Sequence, residues 1–178
     1  SLAEERDFAA LIGRTGYLGS IFDEVLEDIG QRASSIMSSL PNVNHCSIKL
    51  RSTKVTKAGE KRAITPTIFI DGAERPLQGC SGGMTSSITL AVDLAVGEVI
   101  ADRTGARPGW LILDECFDGM DPVTKEACLE LLRDTAEKDG ILILVIDHGA
   151  ELKEMFEKVV TVAFQNGRSW IDTSAMSV

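Results

Sequence analysis

The stretch Gly109-Trp-Leu-Ile-Leu-Asp-Glu-Cys-Phe-Asp-Gly-Met-Asp121 decides how this chain is read. An unbroken apolar run, Trp110 to Leu113, stops at two adjacent carboxylates, Asp114 and Glu115. Such a run predicts a strand of a parallel sheet covered on both faces. Asp114 and Glu115 then fall at the strand's carboxyl end, where open α/β sheets place their ligands. Neighbouring ionised acids repel each other and demand solvation. They are therefore either a water-exposed strand end or part of a cation site.

Downstream, Asp121 is the natural N-cap of a helix from Pro122 to Lys138, with Gly140 just past its end. A strand from Ile141 to Ile146 follows and ends at Asp147-His148. A short helix, Glu151 to Phe156, leads to Val159–Phe164, which pairs through Asn166-Gly167 with Ser169–Ile171. From Asp172 the tail is expected to fray. Upstream, Cys80-Ser81-Gly82-Gly83 opens a helix from Met84 to Arg103, with Ile88, Ala91, Val92, Ala95, Val96, Val99 and Ile100 as its buried face. Gly97 inside that helix costs about 1 kcal/mol against alanine, which predicts close packing there.

Earlier still, Cys46 to Thr56 alternates apolar and charged residues, turns near Ala58-Gly59-Glu60 and returns through Ile64 to Ile70. Asp71-Gly72 marks a further tight turn. The first forty residues read as helical: Ala3–Ile12, a break at Gly13, Thr15 and Gly16, then a long amphipathic helix from Tyr17. Its stripe is Ile21, Phe22, Val25, Leu26, Ile29, Ala33, Ile36, Met37 and Leu40, closed by Pro41 and Asn42. The chain divides into a helical segment, 1–42, and an α/β lobe, 43–178. It opens in mid-helix, as an excised fragment does.

A length of 178 residues with 44% apolar content suits one domain with a real core. The longest apolar run, Ile141 to Ile146, is far short of a bilayer's thickness, so no membrane span is expected. Cys46, Cys80, Cys116 and Cys128 lack zinc-site spacing, which suits reduced thiols in the cytoplasm. A net charge of −9 excludes a nucleic-acid-binding surface over the whole chain. Lys49, Arg51, Lys54, Lys57, Lys61 and Arg62 are the local exception. They form either a lysine-protected hairpin edge or a contact strip for a nucleic-acid backbone.

Ser81-Gly82-Gly83 is open to two readings as well. It is a flexible turn with a cap, or a phosphate-facing helix N-terminus whose glycines admit close approach. His148, ending an apolar strand, is a satisfied polar residue or a catalytic one; His45 has no site around it and is read as structural. No Gly-x-x-x-x-Gly-Lys-Ser/Thr occurs in the chain, so a phosphate-cradling P-loop is missing.

The order of these motifs resembles the ABC-type ATPases. Cys80–Met84 is similar to their signature motif, Leu111–Glu115 to the Walker B segment, Met120-Asp121 to the D-loop, and His148 to the switch histidine. The fold so implied is α/β, the C-terminal lobe of a P-loop NTPase head, with a long N-terminal helix at a coiled-coil base and a β-hairpin region. The likeness is specific from about Leu77 to Ser169 and is strongest to the SMC-related, SbcC-like ATPases of double-strand-break repair and their bacteriophage relatives. Ser81–Ala91 lacks the Gln-Arg pattern that follows a transporter signature. Cys80, Met84, Cys116 and Met120 depart from the family's usual leucine, glutamine or glutamate, proline and leucine.

The resemblance implies ATP and Mg²⁺ as ligands. Asp114 would serve Mg²⁺, Glu115 the attacking water and His148 the γ-phosphate. Ser81, Gly82, Gly83 and Asp121 would meet ATP bound to the opposite protomer. It further implies an upstream P-loop lobe, a second head in a homodimer, a nuclease subunit and DNA as partners, with this fragment inactive alone. The other readings are the nucleotide-binding module of an ABC transporter and a non-hydrolysing SMC-like clamp.

Overall fold

The computed structural model describes residues 17–52, 54–56, 59–61 and 63–172, with side chains from 19 to 52 and from 63 to 172. The helix expected at Ala3–Ile12, its break, the tail beyond Asp172, and the side chains of Lys54, Lys57, Lys61 and Arg62 lie outside these. In chain order the elements are α1 (Tyr17–Met37), β1 (Cys46–Arg51), β2 (Lys54–Thr56), β3 (Gly59–Lys61), β4 (Thr65–Ile70) and β5 (Ala73–Arg75). Then come α2 (Gly82–Thr104), β6 (Trp110–Asp114), α3 (Pro122–Asp139), β7 (Leu142–Ile146), β8 (Thr161–Gln165) and β9 (Arg168–Asp172). Short 3₁₀ turns at Leu77–Gly79 and Ala150–Met155 link them.

Leu26, Ile29, Ala33 and Met37 recur in steps of three and four along α1 and are buried. The helix stops at Met37, short of Leu40. Ser38 and Ser39 donate their hydroxyls to the carbonyls of Ser35 and Ile36, at 2.6 and 2.7 Å, and such local bonds compete with continuing the helix. Phe22, placed on the stripe by spacing, is exposed.

Helix α1 lies directly on β1. A Cβ at Gly30 would come within 3.1 Å of the Ile48 carbonyl, and Ser34 Oγ accepts the Ile48 N–H at 3.0 Å. The expected long hairpin is interrupted. β1 pairs antiparallel with β4, Cys46 opposite Ile70, while β2 and β3 pair separately beyond buried Ser52, which is held by the Asp23 carboxylate. Both Asx-Gly turns form as read: Asp71-Gly72 and Asn166-Gly167 each place two residues at positive φ. Asp172 is paired with Thr161 in the second hairpin rather than frayed.

Helix α2 is the core's axis. Ser81 caps its start, accepting the Met84 N–H at 3.2 Å, so it begins two residues earlier than expected; Gly105 ends it at φ 67°. By length and mean hydropathy, 1.5, it is able to span a bilayer, contrary to the reading from apolar runs. Here it is a core helix. Leu90 and Leu94 are buried beside the expected Ile88, Ala91, Ala95 and Val99, in one cluster with α1, β1, Leu113 and α3. Being packed from more than one side, it shows no single apolar stripe; Ile100, expected inside, is exposed.

β6 and β7 form a parallel pair, Trp110 opposite Leu142 through Asp114 opposite Ile146. Leu111, Leu113, Ile143 and Val145 join the core. The alternate residues Trp110 (62% exposed), Ile112, Leu142 (70%), Leu144 and Ile146 face outward. This corrects the expectation of cover on both faces: the sheet has two strands, and the chain's core covers one side of it.

Gly97 also departs from expectation. A Cβ there would meet nothing within 4 Å. Gly97→Ala therefore adds helix propensity without a clash and should raise the unfolding free energy by about 0.5–1 kcal/mol. Urea unfolding at unchanged slope measures this; a loss of stability would mean that the space above Gly97 is needed by the fold.

Candidate functional site

The ladder of β6 and β7 extends one residue past Asp114, because the Glu115 N–H donates to the Ile146 carbonyl at 2.9 Å. Glu115 then turns the chain at φ 51°, a left-handed conformation unfavourable for a non-glycine residue and concentrated at functional sites. A tight loop follows: the Asp118 N–H donates to Glu115 O at 3.3 Å and the Met120 N–H to Phe117 O at 3.2 Å. Phe117 and Met120 are buried and anchor it. Cys128 Sγ lies 3.7 Å from Met120 Sδ, which fastens the loop to α3. Burial pushes the Cys116 thiol up to about 12, so it adds no charge beside Glu115 at neutral pH.

The start of α2 abuts this loop. A Cβ at Gly83 would sit 2.4 Å from the Gly119 carbonyl oxygen, and one at Gly119 would sit 3.1 Å from the Gly83 nitrogen. Gly119 itself has φ 70°. Ser86 Oγ donates to the Asp118 carbonyl at 2.8 Å and adds a polar tie. Gly82 has open space around it. The two glycines of the motif thus differ: Gly83 is required by packing, and Gly82 remains free to face a ligand.

Asp121 caps α3. Its carboxylate accepts the Thr124 N–H at 3.0 Å and the Thr124 hydroxyl at 2.6 Å. These bonds, the hydroxyl's first, hold its pKa below the ordinary carboxylate value. His148, just past β7, brings Nδ1 to 3.9 Å from Glu115 Oε1, with both side chains largely exposed. Asp147 Oδ1 accepts the Gly149 N–H at 2.7 Å and fixes the turn that carries His148. His45 is exposed beside Asn44. Lys49 sits over the Phe69 ring at 5.3 Å from its centre.

Two clefts meet at the first turns of α2. One, about 220 Å³, is lined by Thr85, Ser86, Thr89, Asp93, Asp114 and Glu115 among others. The second, about 590 Å³, includes Cys80, Gly82, Thr85, Ser86, Asp118 and Gly119. Asp114, Glu115 and His148 therefore form one group, and Ser81, Gly82 and Gly83 another, joined by the Phe117–Asp121 loop. Exposed carboxylates next to hydroxyls are the hard oxygen donors that suit Mg²⁺, which is commonly held by one or two carboxylates together with substrate phosphates and water. Among the described residues no group of three His, Cys, Asp or Glu makes a self-sufficient metal site. Sequence reasoning missed Gly119 and Ser86. The Asp118-Gly119 pair signals a turn, but nothing in the sequence says that it meets Gly83.

No protein-family model matches the chain. Its sequence is 25% identical to the DNA double-strand break repair Rad50 ATPase of Thermococcus kodakarensis, over 86% of this chain and 16% of that protein. It is 28% identical to the methionine import ATP-binding protein MetN of Chromohalobacter salexigens, over 66% of this chain and 32% of that protein. The chain thus spans about a third or less of these curated relatives. Among solved structures it superposes, with a TM-score of 0.61 at 16% identity, on a chain from work on ATP-driven dimerization and DNA-stimulated activation of SMC ATPases, covering 86% of this chain and 87% of that one. The fold is that of an SMC-type ATPase head.

Gly83→Ala should destabilise the chain by about 1–3 kcal/mol, the usual range for overpacking, while Gly82→Ala leaves stability nearly unchanged. Denaturant midpoints of the two variants check the backbone contact; equal midpoints would refute it. Asp121 supplies a stability contribution fully present above its unfolded pKa and lost as pH falls through its lowered folded value. Asp121→Asn, still a good cap, should therefore flatten the acid limb of the stability–pH curve; an unaltered limb would assign that acid sensitivity to other carboxylates.

Proposed function

We propose that this chain, an ABC-type ATPase head lobe of the SMC- and Rad50-like kind, is the C-terminal half of an ATP-hydrolysing head in an SbcC-like DNA repair or recombination protein. The observation that carries the reading is the meeting of Glu115 and His148 at the carboxyl end of a parallel strand pair whose outer face is bare. A two-stranded parallel sheet with one apolar face in water is an incomplete structure. An upstream P-loop lobe would supply the missing cover and the phosphate cradle, with residues 1–42 as the base of the coiled coil between the two. The fragment alone would then be inactive, and the whole protein cytoplasmic.

In this reading Asp114 would hold Mg²⁺, whose charge would offset that of the ATP phosphates when it is bound. Glu115, fixed at a strained turn, orients the attacking water and accepts its proton at a carboxylate oxygen. His148 is placed to contact the γ-phosphate of the same nucleotide. Ser81 uses its oxygen as acceptor for the Met84 N–H, which leaves the hydroxyl hydrogen free to donate outward. Together with the N–H of Gly82 at the positive end of α2, it faces the γ-phosphate of ATP on a second, identical head. Gly83 and Asp121 hold that surface in shape. Two heads closing on two nucleotides would gate a nuclease subunit and a DNA tether. Retention of Glu115 argues against a non-hydrolysing clamp. The likeness to Rad50 extends over more of the chain than the likeness to the import ATPase, which favours repair over transport.

The test joins this chain to its upstream lobe and measures Mg-ATP turnover. Glu115→Gln should reduce turnover at least a hundredfold and accumulate an ATP-bound dimer. Ser81→Arg should prevent dimer formation while nucleotide still binds each head. Unchanged turnover in Glu115→Gln, or ATP-driven dimers in Ser81→Arg, would refute the respective assignments.

A further inference from the structure

The turn that carries His148 is braced in three ways. Asp147 Oδ1 accepts the Gly149 N–H at 2.7 Å, and the Leu152 N–H donates to the Gly149 carbonyl at 3.3 Å. Leu152 is buried and pins the far side of the turn to the core. The third brace comes from α3, where Lys125 Nζ donates to Glu151 Oε1 at 2.8 Å. Lys125 is 16% exposed against 63% for Glu151, so its stem is largely covered and its charge is aimed at one partner. That hydrogen bond is the main reason the Glu151 carboxyl is held below its ordinary value. A Cβ at Gly149 would come within 3.1 Å of Asp147 Oδ1 and 3.2 Å of Glu151 Oε1. Both carboxylates therefore close on the residue that follows His148, and a glycine there gives them room.

Lys125 stands one helical turn beyond Asp121, and its N–H donates to the Asp121 carbonyl at 3.0 Å. Helix α3 also holds the other end of the 3₁₀ turn, where Arg133 donates to the Met155 carbonyl at 2.6 Å. We infer that Lys125, acting through Glu151, is a positioning residue for His148, which holds the imidazole beside Glu115 from the helix that Asp121 starts. The inference rests on the reading of His148 as the contact to the γ-phosphate. The strand ladder alone does not supply this link: β7 ends at Ile146, and His148 lies two residues past it. An ion pair with an exposed partner contributes little stability, so what this one supplies is direction. Direction matters at such a point, since a misplacement of about 1 Å is able to cost roughly a hundredfold in rate.

The test measures Mg-ATP turnover in the chain joined to its upstream lobe. Lys125→Met keeps the apolar stem and removes the charge. It should lower kcat roughly tenfold, with KM for ATP and the denaturant midpoint nearly unchanged. Lys125→Arg should restore most of the rate. In a His148→Ala background, Lys125→Met should cost no more than about twofold further, because the two residues act as one unit. Arg133→Met, which releases only the far end of the turn, should leave kcat near that of the parent. In this chain alone, Lys125→Met should move the NMR amide signals of His148 and Gly149 and leave that of Gly140, past the end of α3, in place. Unmoved His148 and Gly149 signals would overturn the inference. So would any of three kinetic results where Glu115→Gln abolishes turnover: an unchanged kcat in Lys125→Met, its full loss added on top of His148→Ala, or an equal loss in Arg133→Met. Turnover that Glu115→Gln leaves untouched would overturn the ATPase reading itself, and this inference with it.

Discussion

The backbone contact between Gly83 and Gly119 is the constraint on which the site depends. It leaves no room for a side chain on Gly83, and one on Gly119 would press on the Gly83 nitrogen from a left-handed backbone. It presses the first turn of α2 against the loop after β6, and the Ser86–Asp118 bond keeps the two in register. Ser81 is thereby held at a helix start whose position is fixed relative to Glu115. The same loop ends at Asp121, whose carboxylate launches α3. This contact therefore sets the start of α2, and with it Ser81, against the loop that joins β6 to α3.

A second constraint is what the chain leaves undone. The inner residues of β6 and β7 join a core with α2 and α3, yet their outer residues form a contiguous apolar face. Faces of this kind on soluble proteins mark interaction surfaces. The separate hairpin β8–β9 carries Val162, Phe164 and Ile171, also exposed. Hydrophobic energy lost by this exposure is of the size that drives a second lobe to associate, about 25 cal/mol per Å² covered. The uncovered face is the feature of the packing that supports the proposed second lobe.

Much of this was legible in the sequence where local rules decide. The caps at Asp121 and Gly140, the Asx-Gly turns, and the strand endings at Asp114 and Ile146 follow from propensity and spacing alone. Tertiary facts were not legible. An apolar run such as Trp110–Leu113 reads the same whether its second cover lies in this chain or elsewhere, so burial on both faces was the wrong inference for the chain by itself. Gly97 read as a packing glycine because spacing cannot distinguish a close approach from an open floor. Gly83 read as a ligand glycine, yet Gly119 lies against it, a contact made between residues far apart in sequence.

Glu115 shows why local rules and the site part company here. A non-glycine residue at positive φ stores on the order of 1–3 kcal/mol unless its surroundings over-determine it. The surroundings are visible: its N–H is tied to Ile146, its carbonyl to Asp118, and Phe117 is locked in the core two residues on. A glycine would relieve the turn but supply no carboxylate. The strained turn places a charged side chain at the point where the strand stops, with His148 delivered beside it by the neighbouring strand. Among the described residues nothing in the packing of α2, α3 or the hairpins requires an acid there, which supports the proposed role for Glu115.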